Sequence, residues 1–284
     1  MSRPFIKMNG LGNDFVVVEA KSEPFAPTAA QARAIADRAG GIGCDQLIAL
    51  ESSPRADIFM RIWNADGGEV SACGNATRCV GWLILEATGR ETALIETTAG
   101  LLEVTRAGGN AVTVDMGEPG LGWREIPLAR ALSTRETQLR ILSATPRLPG
   151  CVSMGNPHVV FFVSNAETVR ADKIGPKVER HPLFPERVNV GFAQIKGPDR
   201  IRLRVWERGA GLTRACGTGA CAALVAAHRR GLAGLAATIE MDGGELFVEW
   251  RGADNHVLMT GPTAVEFTGR LPKWESVAEL ESAE

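Results

Sequence analysis

Two cysteines offer the first chemistry in this sequence. Cys73 lies in Ala72-Cys73-Gly74-Asn75 and Cys216 in Ala215-Cys216-Gly217-Thr218, each after a Gly-containing turn and before an apolar run of helical length. A helix N-terminus has unpaired backbone N–H groups and a positive partial charge, so it favours an anion beside it. An ordinary thiol titrates near about 8.5, and a favourable helix end contributes up to about 2 kcal/mol, enough to bring a thiol near neutrality. Two such thiols on opposite faces of a small anionic substrate would serve as base and acid, inverting a carbon centre. The helix N–H groups would hold the α-carboxylate, where negative charge develops once the Cα proton leaves.

The other cysteines point elsewhere. Cys44, Cys79, Cys151 and Cys221 complete a set of six in 284 residues, too sparse for a disulfide framework. The pairs Cys73/Cys79 and Cys216/Cys221 lack a C-x-x-C spacing and a nearby His, so no metal is expected. These four cysteines read as small buried hydrophobes. Pyridoxal phosphate would also stabilise a carbanion, but among the lysines only Lys7 lies near a motif, where a strand-edge role fits it. No cofactor is expected.

The elements that must position the thiols occur twice. Cys216 lies 143 residues after Cys73, and Leu203-Arg204-Val205-Trp206-Glu207 lies 143 after Met60-Arg61-Ile62-Trp63-Asn64. Gly12-Asn13 before Phe15–Val18 matches Gly155-Asn156 before His158–Phe161 at the same offset of 143, and Gln46 falls on Asn189. Such order argues for two copies of one domain. Each copy starts with a buried-strand run, Phe15–Glu19 or Val159–Val163. Thr28 caps a helix through Ile35, and its counterpart is expected around Pro176–Arg180. Helices follow the cysteines, from Gly74 to Thr88 before Gly89 and from Gly217 to Arg230 before Gly231. Alternating strands close each half: Ala93–Glu96, Leu101–Val104 and Ala111–Asp115, then Ala237–Glu240, Leu246–Trp250 and His256–Thr260.

The expected fold is α+β: two pseudo-symmetric duplicated domains, each a mostly antiparallel sheet around a central helix, with the active site in the interdomain cleft. The N-terminal half spans 1–118 and is joined by 263–275, the C-terminal half spans 119–262, and 276–284 is a frayed tail. A length of 284 residues agrees with about two domains. The 45% apolar and 23% charged fractions exclude a disordered or collagen-like chain. A net charge of −2 gives no footprint for nucleic acid or an anionic membrane. No stretch reaches the roughly 18 to 20 apolar residues of a membrane span, and Met1–Lys7 lacks the basic-then-apolar layout of a signal peptide. A cytoplasmic enzyme acting on a small molecule is expected.

The motifs match a known family in order. Asn9–Phe15, Gly43-Cys44-Asp45-Gln46, Asn64-Ala65-Asp66-Gly67, Ala72–Asn75, Met154–His158, Arg187–Phe192 and Glu207–Gly211 through Ala215–Ala220 resemble diaminopimelate epimerase, over about residues 5 to 262. The resemblance implies cofactor-independent interconversion of LL- and meso-2,6-diaminoheptanedioate in lysine and peptidoglycan-precursor synthesis, by domains that close over the substrate, commonly in a homodimer. It implies that Cys73 and Cys216 are the acid/base pair. Gly74, Asn75, Gly217 and Thr218 would hold the reacting carboxylate. Asn13, Gln46, Asn64, Asn156, Asn189 and Arg208 would bind substrate, Glu207 its ammonium, and His158 with Glu207 would tune the thiols. Neutral amides plus one Arg suit a distal amino acid bearing both charges. Asp45 and Asp66 read as turn or cap residues. Two departures stand out: Ala76 where the family usually has Gly, and Leu212 where it often has Glu.

Competing readings predict different residues. A proline or hydroxyproline racemase would leave the Asn13, Asn156, Asn189 and Arg208 set without a task, and an isomerase of the phenazine type lacks the cysteine pair. A thiol redox sensor would join Cys73 to Cys216 and need no diamino acid.

Overall fold

The computed structural model describes residues 3–139 and 148–271. The chain divides into two compact units, one running to Val114 and resuming at Pro262, the other Asp115–Gly261. The expected tail 276–284, and the end of the 263–275 segment, lie outside the described residues.

In the first unit, β1 (Pro4–Gly10) and β2 (Asn13–Glu19) form an antiparallel hairpin. Its turn holds Leu11 at φ 64 and Gly12 at φ 76. Two left-handed residues match the twist of the flanking strands, but a leucine in that region is strained. The Asn9 side-chain oxygen accepts from the Gly12 N–H at 2.8 Å and steadies the turn. α1 (Ala29–Ala36) opens on a reciprocal cap, in which Thr28 accepts from the Gln31 N–H and Gln31 accepts from the Thr28 N–H.

β3 (Gln46–Glu51) runs parallel to β2, and β4 (Ile58–Asn64) antiparallel to β3. The register pairs Phe15 with Gln46 and Gln46 with Asn64. The starts of β2 and β3 therefore meet the end of β4, which gathers Asn13, Gln46 and Asn64 at one end of the sheet. After the short β5 (Glu69–Val70) comes α2 (Gly74–Thr88), ended by Gly89 at φ 67, whose N–H reaches the Leu85 carbonyl. Then β6 (Thr92–Thr97), β7 (Gly100–Arg106) and β8 (Ala111–Asp115) follow as an antiparallel meander. α2 packs tightly on β7, since a β-carbon at Gly81 would lie 3.0 Å from the Val104 methyls.

The second unit repeats this plan. It contains β9 (Gly150–Ser153), β10 (Pro157–Phe162), α3 (Ala171–Glu179), β11 (Asn189–Gly197), β12 (Arg200–Glu207), β13 (Gly211–Thr213), α4 (Gly217–Arg229), β14 (Ala236–Met241), β15 (Gly244–Trp250) and β16 (Val257–Pro262). β10 runs parallel to β11 as β2 does to β3, and β12 runs parallel to β14 as β4 does to β6. The other strand pairings described within each unit are antiparallel. A further strand, β17 (Ala264–Arg270), pairs antiparallel with β1 in the first unit.

α3 begins at Ala171, earlier than the expected Pro176–Arg180. Its N-cap, Arg170, makes no side-chain cap bond, and Pro176 sits inside the helix rather than at its start. α4 is buried from Gly219 to Ala227. Its run of small residues permits close approach, because a β-carbon at Gly150 of β9 would stand 2.9 Å from Ala226 Cβ. Beneath the strands, Val16, Val18, Ile35 and Trp63 pack in one core, and Val159, Phe161, Val178, Val190 and Phe192 in the other. Among the described residues no helix is long and apolar enough to cross a membrane.

Candidate active site

Both cysteines are N-caps in extended backbone: Cys73 opens α2 at φ −150, ψ 112, and Cys216 opens α4 at φ −136, ψ 108. The Cys73 carbonyl accepts from the Thr77 N–H and the Cys216 carbonyl from the Ala220 N–H, each at 2.9 Å. Gly74 and Asn75, like Gly217 and Thr218, are then the first helical residues, whose N–H groups lack partners within the helix. The fold thus brings each cysteine next to two backbone donors.

Cys73 meets two side-chain amides. Its half-buried Sγ donates to Asn13 Oδ1 at 3.9 Å, a long contact, and Asn75 Nδ2 donates to the same oxygen at 3.4 Å. Asn13 Nδ2 in turn donates to Asp45 Oδ2 at 2.7 Å. Gln46 Nε2 donates to Asn64 Oδ1 at 2.9 Å, across the β3–β4 register. Gln46 Oε1 and Asn75 Oδ1 are buried acceptors with no partner. A buried acceptor left open costs free energy, so both are places for a ligand donor.

Around Cys216 the groups are charged or polarisable. The buried thiol donates to the Glu207 carboxylate and lies 3.6 Å from Thr218 Oγ1. The Cys216 N–H points to Met241 Sδ at 3.5 Å. Glu207, at the end of β12, also accepts from the Thr213 hydroxyl of β13. Burial raises the Glu207 carboxyl, partly offset by the Thr213 and Cys216 bonds. Burial also pushes the Cys216 thiol well up, and the Glu207 charge pushes it further, against the Thr218 hydroxyl and the Gly219 N–H. The helix end is expected to bring one thiol near neutrality, and at Cys216 burial and the Glu207 charge act against it. Desolvation and a helix end act in opposite directions on a thiolate.

The rest of the second-unit set forms a scaffold. Asn189 donates to the Pro157 carbonyl at 3.2 Å and accepts from the Arg208 N–H at 2.8 Å, so it ties β11 to the turn after β12. Arg208 Nη1 donates to the Glu186 carbonyl at 2.9 Å. His158 is fully buried with Nε2 2.9 Å from Asn156 Oδ1. Burial holds its pKa down to about 3 and the Arg208 charge adds to this, so the ring is neutral at physiological pH. Glu207 thus meets a thiol of its own unit, whereas His158 meets Asn156.

Sequence reasoning passed over several supporting residues. Asp45 holds Asn13, Thr213 holds Glu207, and Met241 faces Cys216. Buried Glu179 of α3 accepts from Trp206 Nε1 at 2.8 Å and from the Gly209 N–H at 3.2 Å, anchoring the turn that carries Arg208. The place of Asp45 beside Gln46 in Gly43-Cys44-Asp45-Gln46 was the one available signal. The other three contacts join residues far apart in sequence or across a hairpin. Cys44, Cys79, Cys151 and Cys221 are all buried, and burial raises the first three thiols to about 11, 12 and 12.

A duplicated α+β chain with a cysteine at the N-cap of the corresponding helix in each copy has the architecture of an epimerase, within the isomerases. The family model described as diaminopimelate epimerase matches residues 5–121 and 150–265. The diaminopimelate epimerase of Phenylobacterium zucineum is 67% identical over 274 residues, covering 96% of this chain and 99% of its own. That of Caulobacter vibrioides is 55% identical over 285 residues, covering 96% and 99%. The chain belongs to the diaminopimelate epimerase family. Among solved structures, a phenazine biosynthesis protein of the PhzF family from Bacillus anthracis is similar at TM-score 0.67 and 15% identity, covering 96% of this chain and 100% of that one. The last likeness is one of fold.

Proposed function

We propose that this protein interconverts LL- and meso-2,6-diaminoheptanedioate in lysine and peptidoglycan-precursor synthesis, with Cys73 and Cys216 exchanging protons at Cα. The observation that carries the reading is the N-cap cysteine beside free helix N–H groups in each repeat. One sulfur, as thiolate, removes the Cα proton, and the other, as thiol, supplies a proton to the opposite face. The N–H groups of Gly74, Asn75, Gly217 and Thr218 receive the α-carboxylate as charge builds there.

Cys216 holds its proton in the free protein, because burial and Glu207 both oppose the thiolate. It is therefore ready to act as acid in one direction. In the other, Glu207 is the neighbouring group that takes the thiol proton and frees Cys216 to act as base. The amides of Asn13, Gln46, Asn64 and Asn156, with the Arg208 guanidinium, suit a substrate bearing both ammonium and carboxylate, and Asn189 holds the Arg208 backbone. Buried Gln46 Oε1 and Asn75 Oδ1 supply open acceptors for its N–H groups. Lys7 is unsuited to a Schiff base, since its ammonium is bound to Asp14 at 2.6 Å and to the Gly43 carbonyl, which favours chemistry without pyridoxal phosphate. A homodimer in the cytoplasm completes the proposal.

The test is incubation of LL-diaminoheptanedioate with the protein in D2O, following deuterium at Cα by NMR. Cys73→Ser and Cys216→Ser are each expected to lower epimerisation by about 100-fold or more. Full activity in either variant rejects the two-thiol reading.

A further inference from the structure

Asp45 sits outside the thiol and amide set, yet it touches the side chain that faces Cys73. Its Oδ2 accepts from Asn13 Nδ2 at 2.7 Å and from the Asp14 N–H at 3.0 Å. Its Oδ1 accepts from Arg38 Nη2 at 2.7 Å. Arg38 also forks onto Asp14 at 2.8 and 3.0 Å, and Lys7 closes the group on Asp14 at 2.6 Å. Two cations thus face two carboxylates, and Asp45 sits where a charged acceptor is required.

An ionised carboxylate only accepts hydrogen bonds, whereas an amide presents a donor at one end and an acceptor at the other. Against Asp45 the Asn13 amide has one satisfactory orientation, nitrogen toward the carboxylate. Its oxygen must then face the other way, toward Cys73 Sγ at 3.9 Å and Asn75 Nδ2 at 3.4 Å. The Asn75 amide is fixed in turn, nitrogen toward Asn13, which leaves its buried oxygen open.

We propose that Asp45 is a positioning residue that sets the orientation of the Asn13 amide, so that Cys73 meets a hydrogen-bond acceptor and Asn75 offers an open oxygen. This rests on the reading of Cys73 as an acid/base group. An acceptor beside a thiol favours its protonated form, and a donor there favours the thiolate. The charged and titratable groups around this contact are Asp45, Asp14, Lys7 and Arg38 on the β1–β3 side, with Arg78 and Cys79 on α2. Of these, Asp45 is the one bonded to Asn13.

The substitution Asp45→Asn tests the relay. With its carbonyl oxygen kept on Arg38, its NH2 replaces Oδ2, the oxygen that accepts from Asn13. Asn13 must then rotate its own oxygen toward that NH2 and point nitrogen at Cys73. The pH midpoint for alkylation of Cys73 by iodoacetamide, followed by residue-resolved mass spectrometry, is expected to fall by about 0.5 to 1 pH unit. In the same variant kcat for epimerisation is expected to fall about tenfold with a smaller change in KM. Arg38→Gln, which loosens the ion cluster but keeps the acceptor, is expected to leave the Cys73 midpoint in place. If Asp45→Asn does not fold, Asn13→Ala serves instead: it removes the acceptor and lowers the midpoint. An unmoved midpoint in Asp45→Asn or Asn13→Ala, or an equal fall in Arg38→Gln, overturns the proposal. Alkylation needs no turnover, so this result stands apart from the fate of the epimerase reading.

Discussion

Cys73 and Cys216 occupy the same backbone position at the start of the same helix, yet Cys73 is half-buried among amides while Cys216 is buried against a carboxylate, a hydroxyl and a thioether. The cap geometry is shared, so the helix ends treat the two sulfurs alike. The side chains make the difference: at Cys216 burial and the Glu207 charge oppose the thiolate. A reaction that takes a proton from one face of a carbon and returns one to the other needs unlike partners at rest. The repeated fold supplies two equivalent places for sulfur, and their neighbours make them unequal.

The comparison breaks first at Glu207. Glu207→Gln removes the charge that raises the Cys216 thiol, so the Cys216 alkylation midpoint is expected to move down in pH, toward that of an ordinary thiol. Deuterium exchange at Cα is expected to drop by about 100-fold, because the proton acceptor for Cys216 is lost. An unchanged midpoint would show that burial alone sets Cys216.

A second contrast lies three residues into each helix, where the first copy has Ala76 and the second Gly219. A β-carbon at Gly219 would stand 3.2 Å from Cys216 Sγ and 3.1 Å from Val205 Cγ2, so Gly219→Ala is expected to cost about 1–3 kcal/mol and expose the thiol. Ala76 is fully buried in the first copy, and Ala76→Gly is expected to cost only about 0.5–1 kcal/mol through helix propensity. Thermal denaturation of the two variants measures both. An effect of similar small size belongs to Thr213→Val, which removes one bond to Glu207 at about 0.5–1.5 kcal/mol. The Glu207 carboxyl should then rise, moving the acidic limb of the pH–rate profile to higher pH.

Much of this was legible from residues alone. The shared offset exposed the duplication, and Thr28, Gly89 and the two cysteines marked helix ends that the structure reproduces. What stayed hidden needed distance in three dimensions. The Asp45–Asn13 bond depends on the parallel pairing of β2 with β3, which no local pattern encodes. The start of α3 was hidden because Arg170 gives no cap signal and Pro176 looks like an opening. The raised Cys216 thiol was missed because burial is a property of the closed core, not of the motif.

The pairing of β17 with β1 bears on how the protein is made. The second unit is one continuous stretch, but the first must wait for a strand encoded after it. As a ribosome releases the chain, β1 emerges well before β17 and stays without that partner while the second unit is synthesised. Translation order and order of completion are therefore reversed: the unit begun earlier is finished later. Its uncovered edge during that interval is where a chaperone has most reason to bind.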